Sequence, residues 1–187
     1  MILAMSAAMS VHVIANVGTG AIGDISTDTS GAVAGKITIT GDGSVQIYAR
    51  LGVTSDGGLT APTFDAIPDA GFATPFHIRP NVCIAFPSTM QKQVGLSASE
   101  LNASFSPGGL ANVISAAAPS MTLQGTSKVN GVDVNVFKGV GRELDVPIGQ
   151  RLPIRYMRYA TSTVSASTVS FTEWGAAGAI TKPKSCP

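Results

Sequence analysis

The stretch that determines the fold class is Lys36-Ile-Thr-Ile-Thr-Gly-Asp-Gly-Ser-Val-Gln-Ile-Tyr-Ala-Arg-Leu51. On its first arm Ile37 and Ile39 alternate with threonine, and from Val45 onward apolar and polar residues alternate on the second arm. A period of two places every second side chain on the same face of a strand. The Gly-Asp-Gly run between the arms is typical of a short turn. The stretch therefore predicts a β-hairpin with one buried face.

Other parts of the chain repeat this pattern. The pair Asn130-Gly131 is preferred in type I′ turns. It separates a strand-like stretch at residues 121–129 from a second stretch that carries Val132, Val134 and Val136 on one face. Further strands are predicted at residues 10–17 and 163–174.

The remaining segments contain frequent turn residues and few helical patterns. Prolines are so dense in residues 55–90 that only short edge strands and loops are expected there, with 77–79 and 82–86 as the candidate strands. Helical patterns are limited to residues 97–100 and 110–118. The chain is therefore predicted to be all-β, an antiparallel sandwich or a jelly-roll-like barrel with one or two short helices.

The composition favours a subunit of a larger assembly. The 187 residues fit a single β-rich domain, 1–187, with extended segments at about 1–17 and 175–187. Charged residues make up 12% of the chain, roughly half of the ~25% typical of soluble domains. The small polar side chains that replace them lose little entropy when a neighbour covers them. A net charge of +1 disfavours nucleic acid as a partner, and no apolar run of about 18 residues predicts a membrane span.

The cysteines and the N-terminus bear on the compartment. Cys83 and Cys186 fit no metal or redox spacing, so we expect free thiols, with a disulfide between them as the alternative. The apolar residues 1–15 partly resemble a signal sequence, but no lysine or arginine precedes the apolar run, and His12 lies within it. We therefore expect an uncleaved N-terminal strand in a protein made in the host cytoplasm.

The sequence contains few groups suited to catalysis. Gly18-Thr-Gly-Ala-Ile-Gly23 has the spacing of a dinucleotide-binding turn, but poor helix formers follow it, and that turn needs a helix N-terminus. We expect a loop between strands there and no cofactor. Neither His12 nor His77 lies in a signature of nucleophilic catalysis, and no metal-ligand spacing is present. The prediction is a protein that is not an enzyme, with no catalytic, cofactor-binding or metal-binding residues.

The predicted subunit interface is a local concentration of arginine and tyrosine, residue types enriched at protein interfaces. On a strand, Arg155 and Tyr159 would share one face while Tyr156 and Arg158 share the other, which divides the basic groups and disfavours nucleic acid. We expect Arg155→Ala to weaken assembly with little loss of thermal stability, and removal of residues 1–10 to leave the domain folded but lower its oligomeric state. The candidate interface residues are Arg151, Arg155, Tyr156, Arg158, Tyr159, Val11 and Val13.

Three classes of function remain. The leading interpretation is a non-enzymatic structural subunit of a virus or phage particle, either a small capsid protein or a capsid-decoration protein. It would assemble through sheet edges and extended termini, as a homo-oligomer or with other structural subunits, and would be located in the virion. The first alternative is a subunit of an extracellular fibre or pilus that donates its N-terminal strand to a neighbour. The second is a small secreted β-domain that binds a ligand or glycan outside the cell or at its surface.

Overall fold

A computed structural model describes residues 1–17, 21–29, 31–39, 43–53, 59–89, 91, 105–176 and 180–186. Eleven antiparallel strands dominate the described residues and form one sheet. The strands are β1 (Ser10–Val17), β2 (Ala21–Asp28), β3 (Ala32–Ile39), β4 (Gly43–Val53), β5 (Leu59–Pro68), β6 (Ile84–Ala85), β7 (Thr122–Val129), β8 (Val132–Gly139), β9 (Arg142–Pro147), β10 (Arg155–Arg158) and β11 (Ser167–Trp174). The α-helices that lie entirely within these residues are α1 (Ile2–Ser6), α2 (Ala70–Ala73) and α3 (Pro107–Ala117).

The strands follow one another in two meanders. Their order in the sheet is β6-β5-β4-β3-β2-β1-β11-β10-β9-β8-β7, so each strand pairs with its neighbour in sequence within β1–β6 and within β7–β11. The two meanders join where β1 pairs with β11. This arrangement confirms the predicted all-β class, with antiparallel pairing and few short helices.

Both predicted hairpins are present. β3 and β4 pair with Ile37 opposite Val45, and both side chains are buried. Between β7 and β8, Asn130 and Gly131 have φ angles of 49° and 83°. Two successive positive φ angles are characteristic of a type I′ turn, whose twist matches that of the flanking strands. Period-two alternation and turn chemistry are local signals, and they located these hairpins correctly.

β5 is longer than the proline pattern predicted. It has ten residues and pairs with β4 although Pro62 lies within it. The register against β4 shifts between Thr60 and Thr63. Pro62 therefore lies in a bulge, where a residue without an N–H group does not break the hydrogen-bond ladder. The expectation of short edge strands only was wrong for this segment.

The other sequence predictions for irregular segments had mixed outcomes. The candidate strand at 82–86 contains the two-residue β6. The candidate at 77–79 is not a strand, because His77 follows a 3₁₀ turn and has a left-handed φ of 54°. Three predicted features lie wholly or partly outside the described residues: the turn at 41–43, the helix start at 97–100 and the glycine-rich loop at 18–23.

The main core lies between one face of the sheet and the helices α1 and α3. Alternate residues of the central strands point into it, and Val13, Ile25 and Val45 are each at most 1% exposed. α3 contributes Leu110 and Ile114, one helical turn apart, to the same core. A helix with an apolar stripe therefore covers the apolar face of the sheet, and removal of both surfaces from water stabilises the fold.

The N-terminal segment belongs to this core and is not an extended arm. α1 packs near α3 and completely buries Met5. β1 pairs with β2 along one edge and with β11 along the other, and its Val11 and Val13 are also completely buried. These two valines are enclosed by their own chain, so the structure does not present them to another subunit. Removal of residues 1–10 would delete Met5 from this core, and the expectation that the remaining domain folds stays a prediction.

The C-terminal tail is attached to the β5–β6 end of the sheet. Cys186 forms a disulfide with Cys83, which precedes β6. Nearby in sequence, Lys182 Nζ lies 3.1 Å from Asp65 Oδ2 of β5. The expectation of free thiols was wrong because the cysteines are 103 residues apart in sequence and only the folded path of the tail brings them together.

Candidate functional site

A cavity of about 290 Å³ lies between α3 and the sheet face formed by β1, β10 and β11. Its helical wall contains Leu110, Val113 and Ile114. Its sheet wall contains Ala15, Tyr156, Val169 and Phe171. Most of the lining is therefore aliphatic or aromatic. Val113 is 44% exposed, which marks the side on which the cavity opens to solvent.

Local interactions hold α3 in place above this cavity. Ser106 is the N-cap residue, and its Oγ accepts a hydrogen bond of 3.0 Å from the Gly109 N–H. Thr27 Oγ1 of β2 donates a 2.8 Å hydrogen bond to the carbonyl of Phe105, which also lines the cavity. The start of the helix is thus fixed both by its own cap and by the sheet beneath it.

Two arginines stand at one edge of the cavity. Arg142 of β9 and Arg158 of β10 are directly opposite each other in the antiparallel pair, and Arg158 is opposite Ser167 of β11. All three residues line the cavity, with Arg142 half-buried and Arg158 exposed. Within the described part of the chain, neither arginine forms an ion pair.

The row beside the arginines is apolar. Leu144, Tyr156, Val169 and Ala15 follow one another across β9, β10, β11 and β1. Because side chains two residues apart in a strand share a face, Tyr156 and Arg158 point to the same side of the sheet. The cavity therefore has a cationic edge formed by one cross-strand row and an apolar floor formed by the next.

The predicted interface residues of β10 are divided between the two faces, as the alternation predicted. Tyr156 and Arg158 line the cavity. Arg155 lies on the opposite face, where its Nε donates to Asp145 Oδ2 at 2.6 Å and its Nη2 to Glu143 Oε1 at 3.2 Å. The expectation that Arg155→Ala leaves stability nearly unchanged does not fit this geometry, because Asp145 is completely buried.

Two further residues of the predicted interface lie outside the cavity. Tyr159 OH donates to Glu143 Oε2 at 2.5 Å. Arg151 is exposed in the connection between β9 and β10. Among the predicted interface residues, the structure therefore brings only Tyr156 and Arg158 to the cavity, and their role as subunit contacts stays a prediction.

The cluster around Arg155 has perturbed titration behaviour. Burial raises the pKa of Asp145, and the hydrogen bond and charge of Arg155 oppose that rise. Burial also acts to raise the pKa of Glu143, but hydrogen bonds from Lys138 and Tyr159 and the nearby positive charges hold it below its ordinary value. The hydrogen bond that Tyr159 donates to Glu143 raises the pKa of Tyr159. These groups stabilise one another, so the cluster is a structural ion-pair network between β8, β9 and β10.

A second polar cluster crosses β1, β2 and β11 on the face opposite the core. His12 Nε2 lies 2.6 Å from Asp24 Oδ1, and His12 Nδ1 lies 2.5 Å from Thr172 Oγ1. This order of hydroxyl, imidazole and carboxylate is that of a catalytic triad. His12 and Asp24 lie on the neighbouring strands β1 and β2, and Thr172 lies in the bulge of β11 beside His12. The cluster is best described as a cross-strand hydrogen-bond chain at the bulge that contains Thr172.

Neither a metal-binding cluster nor a helix able to span a membrane is found among the described residues. No group of three or more His, Cys, Asp or Glu side chains in that part of the chain has an arrangement that would hold a metal ion. Over the same ranges, no helix combines the length and the apolar character needed to cross a membrane. The glycine-rich stretch at 18–23 leads into β2 at Ala21, so a strand stands where a dinucleotide site would need a helix.

Most of the residues that line the cavity were not predicted from the sequence. Arg142 was not among the predicted interface residues, and its pairing with Arg158 was not predicted. A usable signal was present, because residues 142–147 and 155–158 are two strand-like stretches around a turn. Pairing them as a hairpin centred near residue 150 places Arg142 opposite Arg158. No comparable sequence pattern indicates that α3 forms a wall of the cavity.

Comparison with known proteins adds little to this geometry. No protein-family model matches the chain, and no curated protein matches it. Among solved structures, the chain is similar to the crystal structure of LprF from Mycobacterium bovis, with 13% sequence identity and a TM-score of 0.48. That alignment covers 97% of this chain and 92% of LprF. A likeness at this level carries no argument about function, which therefore rests on the site itself.

Proposed function

We propose that this chain is a non-enzymatic binding domain that holds a small, largely apolar molecule between α3 and the sheet. The observation that carries the proposal is the cavity of about 290 Å³ with its mainly apolar lining. Ligand sites in proteins are concave and mostly apolar, with a few polar groups that orient the ligand. The cavity has this character, since Arg142, Arg158 and Ser167 are its polar lining residues.

The size of the cavity favours a ligand site over imperfect packing. Protein cores are packed as densely as organic crystals and contain few voids larger than a water molecule. Around this cavity the core is otherwise well filled: Ile114 and Phe171 are at most 4% exposed. The side chains that face the open space lack packing partners there, and an apolar ligand would supply them.

The assembly interpretations have less support. A virus or phage subunit would use the predicted interface, but Val11 and Val13 are buried in the core and Arg155 is paired with its own chain. A pilus-type subunit would donate its N-terminal strand, whereas β1 is already paired on both edges. No specific observation among the described residues favours either interpretation.

We also propose that the protein functions in an oxidising compartment outside the cytoplasm. The support is the disulfide between Cys83 and Cys186, because disulfides persist in secreted and extracytoplasmic proteins and are rare in the cytosol. This agrees with the secreted ligand-binding alternative. Thiol alkylation of protein taken directly from its natural source tests the proposal, and two alkylated cysteines in that material would contradict it.

Dodecanol is a suitable probe for the proposed site because it is apolar and uncharged. Trp174 is the only tryptophan in the chain, and its ring centroid lies 5.1 Å from that of Phe171, which lines the cavity. Tryptophan emission during a dodecanol titration therefore reports binding directly. We expect saturable binding of one molecule per chain, with the stoichiometry measured by native mass spectrometry.

Two matched variants locate the binding. Ala15→Leu places a larger side chain in the cavity, and we expect it to weaken dodecanol binding by about tenfold or more, which corresponds to about 1.4 kcal/mol. Ala116→Leu makes the same change on the exposed side of α3 and should leave binding unchanged. Val169→Phe serves as a second cavity-filling variant if Ala15→Leu does not fold. Absence of binding to the native protein, or equal binding by the filled variants and the control, would overturn the proposal.

A further inference from the structure

The arrangement of Arg142 and Arg158 is unfavourable unless a negatively charged group lies nearby. Directly opposite residues in an antiparallel pair have Cβ atoms about 4.5–5.5 Å apart, and like charges in such positions are destabilising. The register places these two arginines opposite each other. No ion pair relieves either of them within the described ranges of the chain.

Charged side chains on the opposite face of the same part of the sheet form ion pairs. On the opposite face of the same strands, Arg155 is paired with Asp145 and Glu143, and Lys138 Nζ lies 2.9 Å from Glu143 Oε2. The same pair of strands therefore carries a neutralised charge network on one face and two uncompensated arginines on the other. The described part of the chain therefore supplies no carboxylate to Arg142 and Arg158, and the anionic group of a ligand would fill that role.

We propose that the ligand of this cavity is a single-chain amphiphile whose anionic headgroup, a carboxylate or a phosphate, lies between Arg142 and Arg158. This inference rests on the proposed function and adds the chemical class of the ligand. Guanidinium groups form paired, charge-assisted hydrogen bonds with carboxylate and phosphate oxygens, which a lysine ammonium does not match in geometry. Ser167, opposite Arg158, provides a hydroxyl in the same row.

The direction and number of the alkyl chains follow from the lining. The apolar floor begins at Tyr156 and Val169, directly beside the arginine row, and continues to Phe171, while Ile114 belongs to the helical wall of the cavity. An alkyl chain attached to a headgroup at the arginines therefore enters the apolar part of the cavity. A volume of about 290 Å³ is just below the usual range for ligand sites, about 300–1,000 Å³, which favours one chain over two.

The test compares three probes that share one alkyl chain: dodecanol, laurate and dodecyl phosphate. We expect the native protein to bind the two anions at least about tenfold more tightly than dodecanol, equivalent to about 1.4 kcal/mol. The advantage should shrink as salt is added, because the exposed Arg158 is screened. The two anionic probes also separate the sources: a preference for dodecyl phosphate identifies a phosphate headgroup, and a preference for laurate identifies a carboxylate.

Charge-removing variants complete the test. Arg142→Gln with Arg158→Gln should abolish the preference for anions, so that laurate and dodecyl phosphate bind this variant no more tightly than dodecanol does. Arg151→Gln makes the same substitution at an exposed arginine outside the cavity and should retain the preference. If the native protein binds all three probes equally, or the double variant keeps the preference, the headgroup assignment is refuted while the apolar site stands. If none of the probes binds, the proposed function fails as well.

Discussion

Substitution of Arg155 by alanine is expected to destabilise the protein strongly. Asp145 is completely buried, and its carboxyl accepts a 2.6 Å hydrogen bond from Arg155 Nε. Its second oxygen, Oδ1, has no hydrogen-bond partner among the described residues. Removal of one partner from a buried ion pair costs about 3–5 kcal/mol, because the other charge stays buried without compensation. Since the side chain of Arg155 is 29% exposed and water can replace part of it, we expect about 3 kcal/mol, at the lower end of that range.

Urea unfolding and thermal melting measure this loss. For a domain of this length, each kcal/mol lowers Tm by about 2–4 °C, so Arg155→Ala should lower Tm by about 6–12 °C. Arg151→Ala is the matched control, since Arg151 is exposed and surface substitutions usually change stability by less than about 0.5 kcal/mol. Adding Asp145→Asn to Arg155→Ala should recover part of the lost stability, because it removes the unpaired charge.

The pH dependence provides an independent check. Burial raises the pKa of Asp145, and the loss of the opposing Arg155 hydrogen bond and charge raises it further. The folded state then binds a proton more readily than the unfolded state, so stability falls as pH rises through the raised pKa. The deficit of Arg155→Ala should be largest at neutral pH and shrink as pH falls through that pKa. A loss below about 1 kcal/mol at neutral pH, or a deficit independent of pH, would refute the role assigned to this pair.

Two further predictions concern the ends of the chain. Met5→Ala should lower the free energy of unfolding by about 3 kcal/mol, because Met5 is completely buried. Leu3→Ala on the same helix should lower it by less than about 0.5 kcal/mol, because Leu3 is 86% exposed. Equal urea midpoints for the two variants would contradict the packing of α1 in the core. Reduction of the Cys83–Cys186 disulfide should lower stability by up to about 4–5 kcal/mol, because it frees a loop with a sequence separation of 103 residues. The urea midpoint of the native protein should fall on addition of a reductant, while a variant with serine at both cysteine positions should not respond; an unchanged native midpoint would contradict the prediction.

Part of the fold could be predicted from the sequence because the patterns that specify it involve residues close in sequence. The alternation around Val45 and the Asn130-Gly131 turn each depend on residues close in sequence, and both hairpins formed as predicted. Where two local rules compete, prediction failed. In β5 the strand-like residues favour a strand, whereas Pro62 disfavours one. The strand forms because the bulge in the register accommodates Pro62.

The sequence did not show which surface covers the apolar face of the sheet. The alternation in β1 shows that Val11 and Val13 share an apolar face, but a partner subunit or the chain's own helices can cover such a face equally well. The structure shows that the chain itself encloses both valines. The same distinction applies to the cysteines, whose pairing depends on where the C-terminal tail lies.

The sequence by itself determined the antiparallel β class, the positions of the main hairpins and the division of β10 into two faces, because side-chain alternation and turn preference act over a few residues. Only the tertiary structure decided that β1 pairs with β11, which joins the two meanders, and that α3 lies over the cavity beside Arg142 and Arg158. A binding cavity is the space left between elements that are distant in sequence. Its shape and charge depend on register and packing, which no local pattern specifies.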